Sequence, residues 1–271
     1  MIRNTHIRIA AAAISFLMAA STVAPAFATT LKITGSTTLQ PLATQWASAF
    51  HKTHSSISVN VYGGGSGTGI KDAGSGTADI GMSSRELTQA EKDSGLVPFA
   101  VARDAVVIVV NPANKYLISG RATIEKIFRG QITNWRQLGK ALPNHAIVLV
   151  GRTGASGTYS FFKEKFLRNL YKQSSRTKTY ASNGLVRSAV ARDKYAIGYL
   201  SMAYDNASVK ALRIDGHVPT KANAVSGAYP YVRSLYFVTK GTRTGDAKTF
   251  MDWCLTAAAQ KIASVEYIPV H

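Results

Sequence analysis

Short apolar runs in this chain repeatedly empty into glycine, serine and threonine, and a helical pattern follows each time. Leu31–Thr34 leads into Gly35-Ser36-Thr37-Thr38, and Pro41–Phe50 then carries Leu42, Trp46 and Phe50 on one stripe. Ile57–Tyr62 alternates apolar and polar residues and runs into Gly63–Gly69, with a helix expected from about Thr68. Asp79–Met82 ends at Ser83-Ser84-Arg85. Ile147–Val150 ends at Gly151-Arg152-Thr153-Gly154-Ala155-Ser156-Gly157-Thr158, ahead of an amphipathic pattern. A strand that opens a helix through small residues is the unit of an α/β fold, so the chain reads as α/β, built on parallel sheets. Further strands are expected at Ala105–Val110, Ala196–Leu200 and Leu235–Val238. Helices are expected at Thr123–Phe128 and, as one last element, Gly245–Ala263.

These loops share a chemistry. Helix N-termini outside the carboxyl ends of strands offer unpaired N–H groups and a partial positive charge, which together hold an anion. Glycine allows close approach, serine and threonine add hydroxyl donors, and Arg152 adds a planar fork that matches two oxyanion oxygens.

Commoner motifs fit less well. Gly64 and Gly69 have P-loop spacing, but Ile70 follows and Lys71 comes one residue late. Gly65 and Gly67 begin a dinucleotide pattern in which Ile70 occupies the last glycine position. Gly154–Thr158 ends in threonine where a nucleophile elbow has glycine, which weakens a secreted phosphatase or esterase using Ser156. None of the six histidines sits in a motif, and no zinc-binding spacing occurs, so no metal and no cofactor are expected.

The first residues read as a leader. Arg3 and Arg8 precede a mostly apolar stretch from Ile9 to Ala20, and Ala26-Phe27-Ala28 forms a cleavage site, so residues 1–28 are expected to be a signal peptide. Cys254 is the only cysteine, which excludes an internal disulfide and leaves none after the cleavage site to carry a lipid. The formal charge is +18. Arg3 and Arg8 account for two of it, and the exported part keeps +16. The basic residues are scattered singly and match no nucleic-acid motif, so the charge reads as a surface property or as attraction of small anions.

Taken together, Gly35-Ser-Thr-Thr-Leu-Gln-Pro, Gly65-Ser-Gly-Thr-Gly-Ile-Lys, Ala78-Asp-Ile-Gly-Met-Ser-Ser-Arg, Arg103-Asp-Ala-Val-Val-Ile-Val-Val-Asn and Gly151-Arg-Thr-Gly-Ala-Ser-Gly-Thr resemble the PstS-type phosphate-binding family of bacterial phosphate ABC importers. Ile127–Trp135, Ala196-Ile-Gly-Tyr and Tyr229-Pro extend the resemblance over the chain after the leader. The resemblance implies a type II periplasmic binding protein: two α/β lobes joined by two crossover strands, with a ligand cleft between them. Residues 29–105 with 233–271 are expected to form lobe 1, and 106–232 lobe 2.

It also implies inorganic phosphate as ligand, a membrane permease as partner, a periplasmic or secreted monomer, and no enzymatic activity or nucleic-acid binding. Carried over by position, the phosphate-binding residues are Thr37, Thr38, Ser66, Ser84, Arg152, Ser156, Gly157 and Thr158, with Ser36, Arg85 and Asp104 as secondary candidates. Some relatives carry an aspartate where this chain has Ser84, and others an acid where it has Gly154. Binding of sulfate, molybdate or tungstate therefore stays open, as does a secreted surface-binding or matrix-binding role for the same fold. Asp104 is expected either to receive a ligand proton or to hold an arginine.

Overall fold

The computed structural model describes residues 29–270. The expected signal peptide lies outside them. In the first half, β1 (Thr29–Gly35), α1 (Gln40–His51), β2 (Ile57–Gly64), α2 (Ser66–Ser75), β3 (Ile80–Ser83) and α3 (Gln89–Asp93) lead to a long strand, β4 (Leu96–Val110). Then come β5 (Ile118–Ser119), α4 (Arg121–Phe128), β6 (Val148–Arg152), α5 (Gly157–Phe166), β7 (Lys178–Tyr180), α6 (Asn183–Arg192) and β8 (Ala196–Ser201). The chain finishes with β9 (Lys210–Ala211), β10 (Arg213–Ile214), α7 (Lys221–Ser226), β11 (Val232–Lys240), α8 (Gly245–Cys254) and α9 (Ala257–Glu266).

The main sheet runs β2-β1-β3-β11-β4-β8-β6-β7, with β9 on the end of β4. Pairings at its two ends, among β1, β2 and β3 and among β6, β7 and β8, are parallel. The middle departs from the all-parallel expectation: β11 pairs antiparallel with β3 and β4, and β4 pairs antiparallel with β8. The reason lies in the connections, because a strand that returns to its starting half meets its neighbour head to tail.

Strand β4 changes partner once. Leu96–Ala105 pairs with β11, and Val106–Val110 pairs with β8. Two hydrophobic cores lie on either side of that change. One gathers Leu31, Ile33, Leu42, Trp46, Phe50, Ile80, Leu235, Phe237 and Phe250. The other gathers Val107, Ile108, Phe128, Trp135, Phe162, Phe166, Ile197, Tyr199 and Leu200. This is the two-lobed type II architecture, with β4 passing from one core to the other and β11 entering beside it.

The expected final helix is in fact two. Thr256 interrupts it: its hydroxyl accepts the N–H of Ala259 and caps a new helix at Ala257. The buried positions jump from Cys254 to Ala259 at the break, but the apolar run Ala257–Ala259 hides that shift in the sequence. Glycine is required where α2 lies against β1 and β3. A Cβ on Gly69 would come within 2.5 Å of the Thr34 carbonyl oxygen, and one on Gly35 within 2.4 Å of that of Met82. That approach brings the N-terminus of α2 to the interlobe face. No helix among the described residues is long and apolar enough to cross a membrane.

Candidate functional site

The hydroxyl loops of both lobes meet at the point where β4 changes partner. Lobe 1 contributes Ser36–Thr38 ahead of α1, Ser66 at the start of α2, and Ser84 after β3. Lobe 2 contributes Arg152 at the end of β6 and Ser156–Thr158 at the start of α5. Ser36, Thr37, Thr38, Ser66, Ser84, Arg152, Ser156 and Thr158 are all buried.

Contacts across the gap are close. The Arg152 guanidinium donates to Thr37 Oγ1 at 3.1 Å and to Thr158 Oγ1 at 3.5 Å. Thr38 Oγ1 and Thr158 Oγ1 lie 3.2 Å apart. The N–H of Gly67 donates to the Ala155 carbonyl at 2.9 Å. Gly157 sits so near lobe 1 that a Cβ there would fall 2.4 Å from Ser66 Oγ and 2.6 Å from Ser84 Oγ. Its N–H and that of Thr158 belong to the first turn of α5, where no intrahelical acceptor exists.

The remaining expected residues make contacts within and between the loops. Ser36 Oγ accepts the N–H of Thr38 and of Leu39, which fixes the first loop. Ser156 Oγ accepts the N–H of Tyr159 and caps α5. Ser66 Oγ accepts the N–H of Ser84 at 3.0 Å and lies 3.2 Å from the Ser84 hydroxyl. Arg85 is not drawn into the cluster. Its guanidinium forms a two-pronged pair with Glu91, which in turn caps α3. That pair holds the Glu91 carboxyl below its ordinary range, chiefly through the Arg85 hydrogen bonds.

Asp104 holds an arginine, and that arginine is the largest feature the sequence reading overlooked. Arg233 on β11 donates through Nε and Nη2 to Asp104 Oδ2, at 3.2 and 2.9 Å. The other oxygen, Oδ1, accepts the Ser201 hydroxyl at 2.7 Å. From this anchor Arg233 reaches Thr38 Oγ1 and Thr158 Oγ1, both at 3.1 Å, and the Ser84 carbonyl at 3.2 Å. The side chain thus touches both lobes from the crossing strand itself.

Asn183, at the start of α6, was also overlooked. Its Nδ2 donates to Thr38 Oγ1 at 3.0 Å while its Oδ1 accepts the N–H of Ser201. Tyr204 and Tyr267 donate to the carbonyls of Thr37 and Thr38. One signal for Arg233 lies in the sequence: a lone arginine in the mostly apolar run Tyr229–Val238, next to the expected crossing. Asn183 gave no comparable sign.

The electrostatics of the cluster are lopsided. Burial pushes the Asp104 carboxyl up, with Arg233 opposing, and burial pushes the Arg233 guanidinium down, with Asp104 opposing. Those two charges balance as an ion pair. Arg152 has no such partner among the described residues. It is 1% exposed and hydrogen-bonds only to neutral oxygens: Thr37, Thr158 and the carbonyls of Tyr180 and Ala181. Burial, and secondarily the nearby Arg233, lowers its pKa to about 10, which still leaves it charged at neutral pH.

The hydroxyls lie among cationic and amide donors. Thr38 Oγ1 accepts from Asn183 and Thr158 Oγ1 from Arg152, and the Arg233 Nη2 hydrogen not given to Asp104 is shared between the two. One of the two hydroxyls donates to the other across 3.2 Å, so the pair keeps a single hydrogen for a ligand. The site is therefore a set of donors around one uncompensated positive charge. Such a set stabilises an oxyanion.

Comparison with known proteins places the chain in a family. The family model described as a PBP superfamily domain matches residues 20–258. Phosphate-binding protein PstS of Bacillus subtilis is 34% identical over 89% of this chain and 80% of its own length. The PstS of Pseudomonas aeruginosa is 30% identical over 76% of this chain and 71% of its own. Among solved structures, a putative phosphate ABC transporter substrate-binding protein with bound phosphate, from Clostridium perfringens, superposes with a TM-score of 0.84. It is 31% identical and covers 89% of this chain and all of its own. An ABC-type phosphate transport receptor from Vibrio cholerae gives 0.72 at 30% identity, over 88% and 99%. A family model that spans most of the chain, and relatives of this likeness along most of their length, show that the chain belongs to the PBP superfamily and, within it, to the PstS-type solute-binding proteins.

Proposed function

We propose that this protein is a receptor for inorganic phosphate that works outside the cytoplasmic membrane and hands its ligand to the permease of an ABC importer. The observation that carries the reading is the buried Arg152 guanidinium, with no counter-charge among the described residues, beside the hydroxyls of Thr37, Thr38 and Thr158. A buried charge without a counter-charge costs several kcal/mol, and an oxyanion between the lobes supplies one. Nucleophilic chemistry is disfavoured, because Ser156 is spent as a helix cap.

The residues we assign to phosphate are Thr37, Thr38, Ser66, Ser84, Arg152, Gly157 and Thr158, with Arg233 added and with Ser36, Ser156 and Asp104 as their supports. Residues 29–105 with 233–270 and residues 106–232 act as two jaws that close on it. Removal of the leader near Ala28 releases a monomer into the periplasm or the medium, consistent with relatives that serve ABC importers.

Phosphate keeps a proton that sulfate lacks, and a proton needs an acceptor. Asp104 is occupied on both oxygens by Arg233 and Ser201. The Ser66–Ser84 hydroxyl pair retains accepting capacity and lies beside Gly157, so it is our candidate partner for that proton. Equilibrium dialysis of phosphate-stripped protein with labelled phosphate tests the reading. Retention that survives excess sulfate supports it. Displacement by an equal amount of sulfate makes the protein a general oxyanion receptor, and no retention refutes the reading.

A further inference from the structure

The positive charge is not spread over the molecule. Between residues 106 and 232 the sequence has nineteen Lys and Arg against five Asp and Glu, a net +14. The rest of the described fold, 29–105 with 233–270, has eleven against nine, a net +2. The ligand site uses one of the lobe 2 cations, Arg152, which leaves the field of that lobe without a role.

Part of this charge gathers where α4 and α5 end side by side. Arg129 lies 3.5 Å from the centre of the Tyr171 ring, and Arg168 stands 5.8 Å from the same ring. Glu125, buried beneath them, accepts from both. The Ser174 N–H donates to the Phe128 carbonyl and ties the following loop to the end of α4. Lys126, Lys172 and Arg176 are exposed around this point and take part in no ion pair among the described residues. At its tip stands Leu170, 72% exposed. The two residues before it, Arg168 and Asn169, have φ of 54° and 57°, a conformation that L-residues adopt at a cost in free energy. The turn thus holds a large apolar side chain outward amid basic ones.

We propose that this patch docks lobe 2 on an anionic phospholipid surface, with Leu170 entering the interface and Lys126, Lys172, Arg176 and their neighbours facing the headgroups. Basic residues attract a negatively charged bilayer within a Debye length of it, and an apolar side chain ringed by them gains by burial at the acyl boundary. The apolar tip favours a bilayer over a soluble polyanion, which offers nothing for Leu170 to enter. Docking by one lobe would keep the receptor close to a membrane-embedded partner.

Co-sedimentation of the purified protein with vesicles tests this. Binding is expected with phosphatidylcholine mixed with phosphatidylglycerol, weakening as salt is raised, and is not expected with phosphatidylcholine alone. Each charge removed should cost about fivefold, so K126Q/K172Q/R176Q should lose about a hundredfold in affinity for the mixed vesicles. Leu170→Ser should lose about tenfold with the salt dependence unchanged. All these side chains are exposed, and labelled-phosphate binding reports that each variant is folded. A control at Lys140, Arg192 and Lys194 removes equal charge from other elements of the lobe. Equal loss in that control overturns the patch in favour of a general field effect. Equal binding to neutral vesicles overturns it as well, as does binding to soluble polyphosphate without binding to vesicles.

Discussion

Replacing Arg152 with methionine separates a binding role from a structural one. Burial moves the Arg152 pKa from its ordinary value to about 10, so holding the charge inside the fold costs about 3 kcal/mol. Methionine removes that cost. It also removes charge-assisted hydrogen bonds to the carbonyls of Tyr180 and Ala181, worth about 1.5 kcal/mol each. The two effects oppose one another, and with the hydroxyl contacts to Thr37 and Thr158 lost as well, ligand-free stability should change by no more than about 2 kcal/mol. Binding should behave differently. Losing one side of a buried charge pair costs about 2–5 kcal/mol, which weakens phosphate affinity by a factor of about 30 to several thousand. Denaturant unfolding of stripped protein and calorimetric titration with phosphate measure the two quantities. An affinity within about threefold of wild type refutes the placement of the anion. A variant that loses several kcal/mol of ligand-free stability refutes the view that Arg152 is held there for a ligand.

Three further outcomes follow from particular contacts. Gly157→Ala places a methyl group against Ser66, Ser84 and the Ser84 backbone; overpacking of this kind costs about 1–3 kcal/mol, so phosphate binding should weaken by about 5- to 150-fold and the scattering radius with phosphate should stay larger than in wild type, whereas unchanged affinity means that the jaws do not close this tightly. Arg85→Ala should leave phosphate affinity within about threefold and cost at most about 1 kcal/mol of stability, since both it and its partner Glu91 are partly exposed; a large affinity loss would return Arg85 to the site. Burial raises the Asp205 carboxyl to about 6, so its penalty is absent below an unfolded value near 4 and complete above 6. Asp205→Asn should therefore be more stable than wild type at neutral pH by about 1 kcal/mol after allowance for solvent, with the difference vanishing by about pH 4, as urea unfolding across that range will show.

How much of this was legible beforehand depended on distance along the chain. The hydroxyl loops announce themselves because strand end, glycine and helix start are adjacent in sequence, and Thr37, Thr38, Ser66, Ser84, Arg152 and Thr158 do converge. Arg233 gains its meaning only from the antiparallel register that sets it opposite Asp104, 129 residues away. Asn183 is meaningful only because α6 packs its first turn against the Thr38 loop of the other lobe. Neither pairing leaves a local pattern. The split between α8 and α9 was hidden for a different reason, since the alanines after Thr256 are apolar on every side and mask the change of buried face. The concentration of charge in one lobe becomes visible only when residues are counted by lobe, because no basic run marks it along the chain.

The most direct test of the central claim is a crystal structure of the protein grown with phosphate. The account predicts tetrahedral density between the lobes, within hydrogen-bonding distance of the Arg152 and Arg233 guanidinium groups, the hydroxyls of Thr37, Thr38 and Thr158, and the first turn of α5. Phosphate bound elsewhere on the chain, with Arg152 still facing only neutral oxygens, would contradict it.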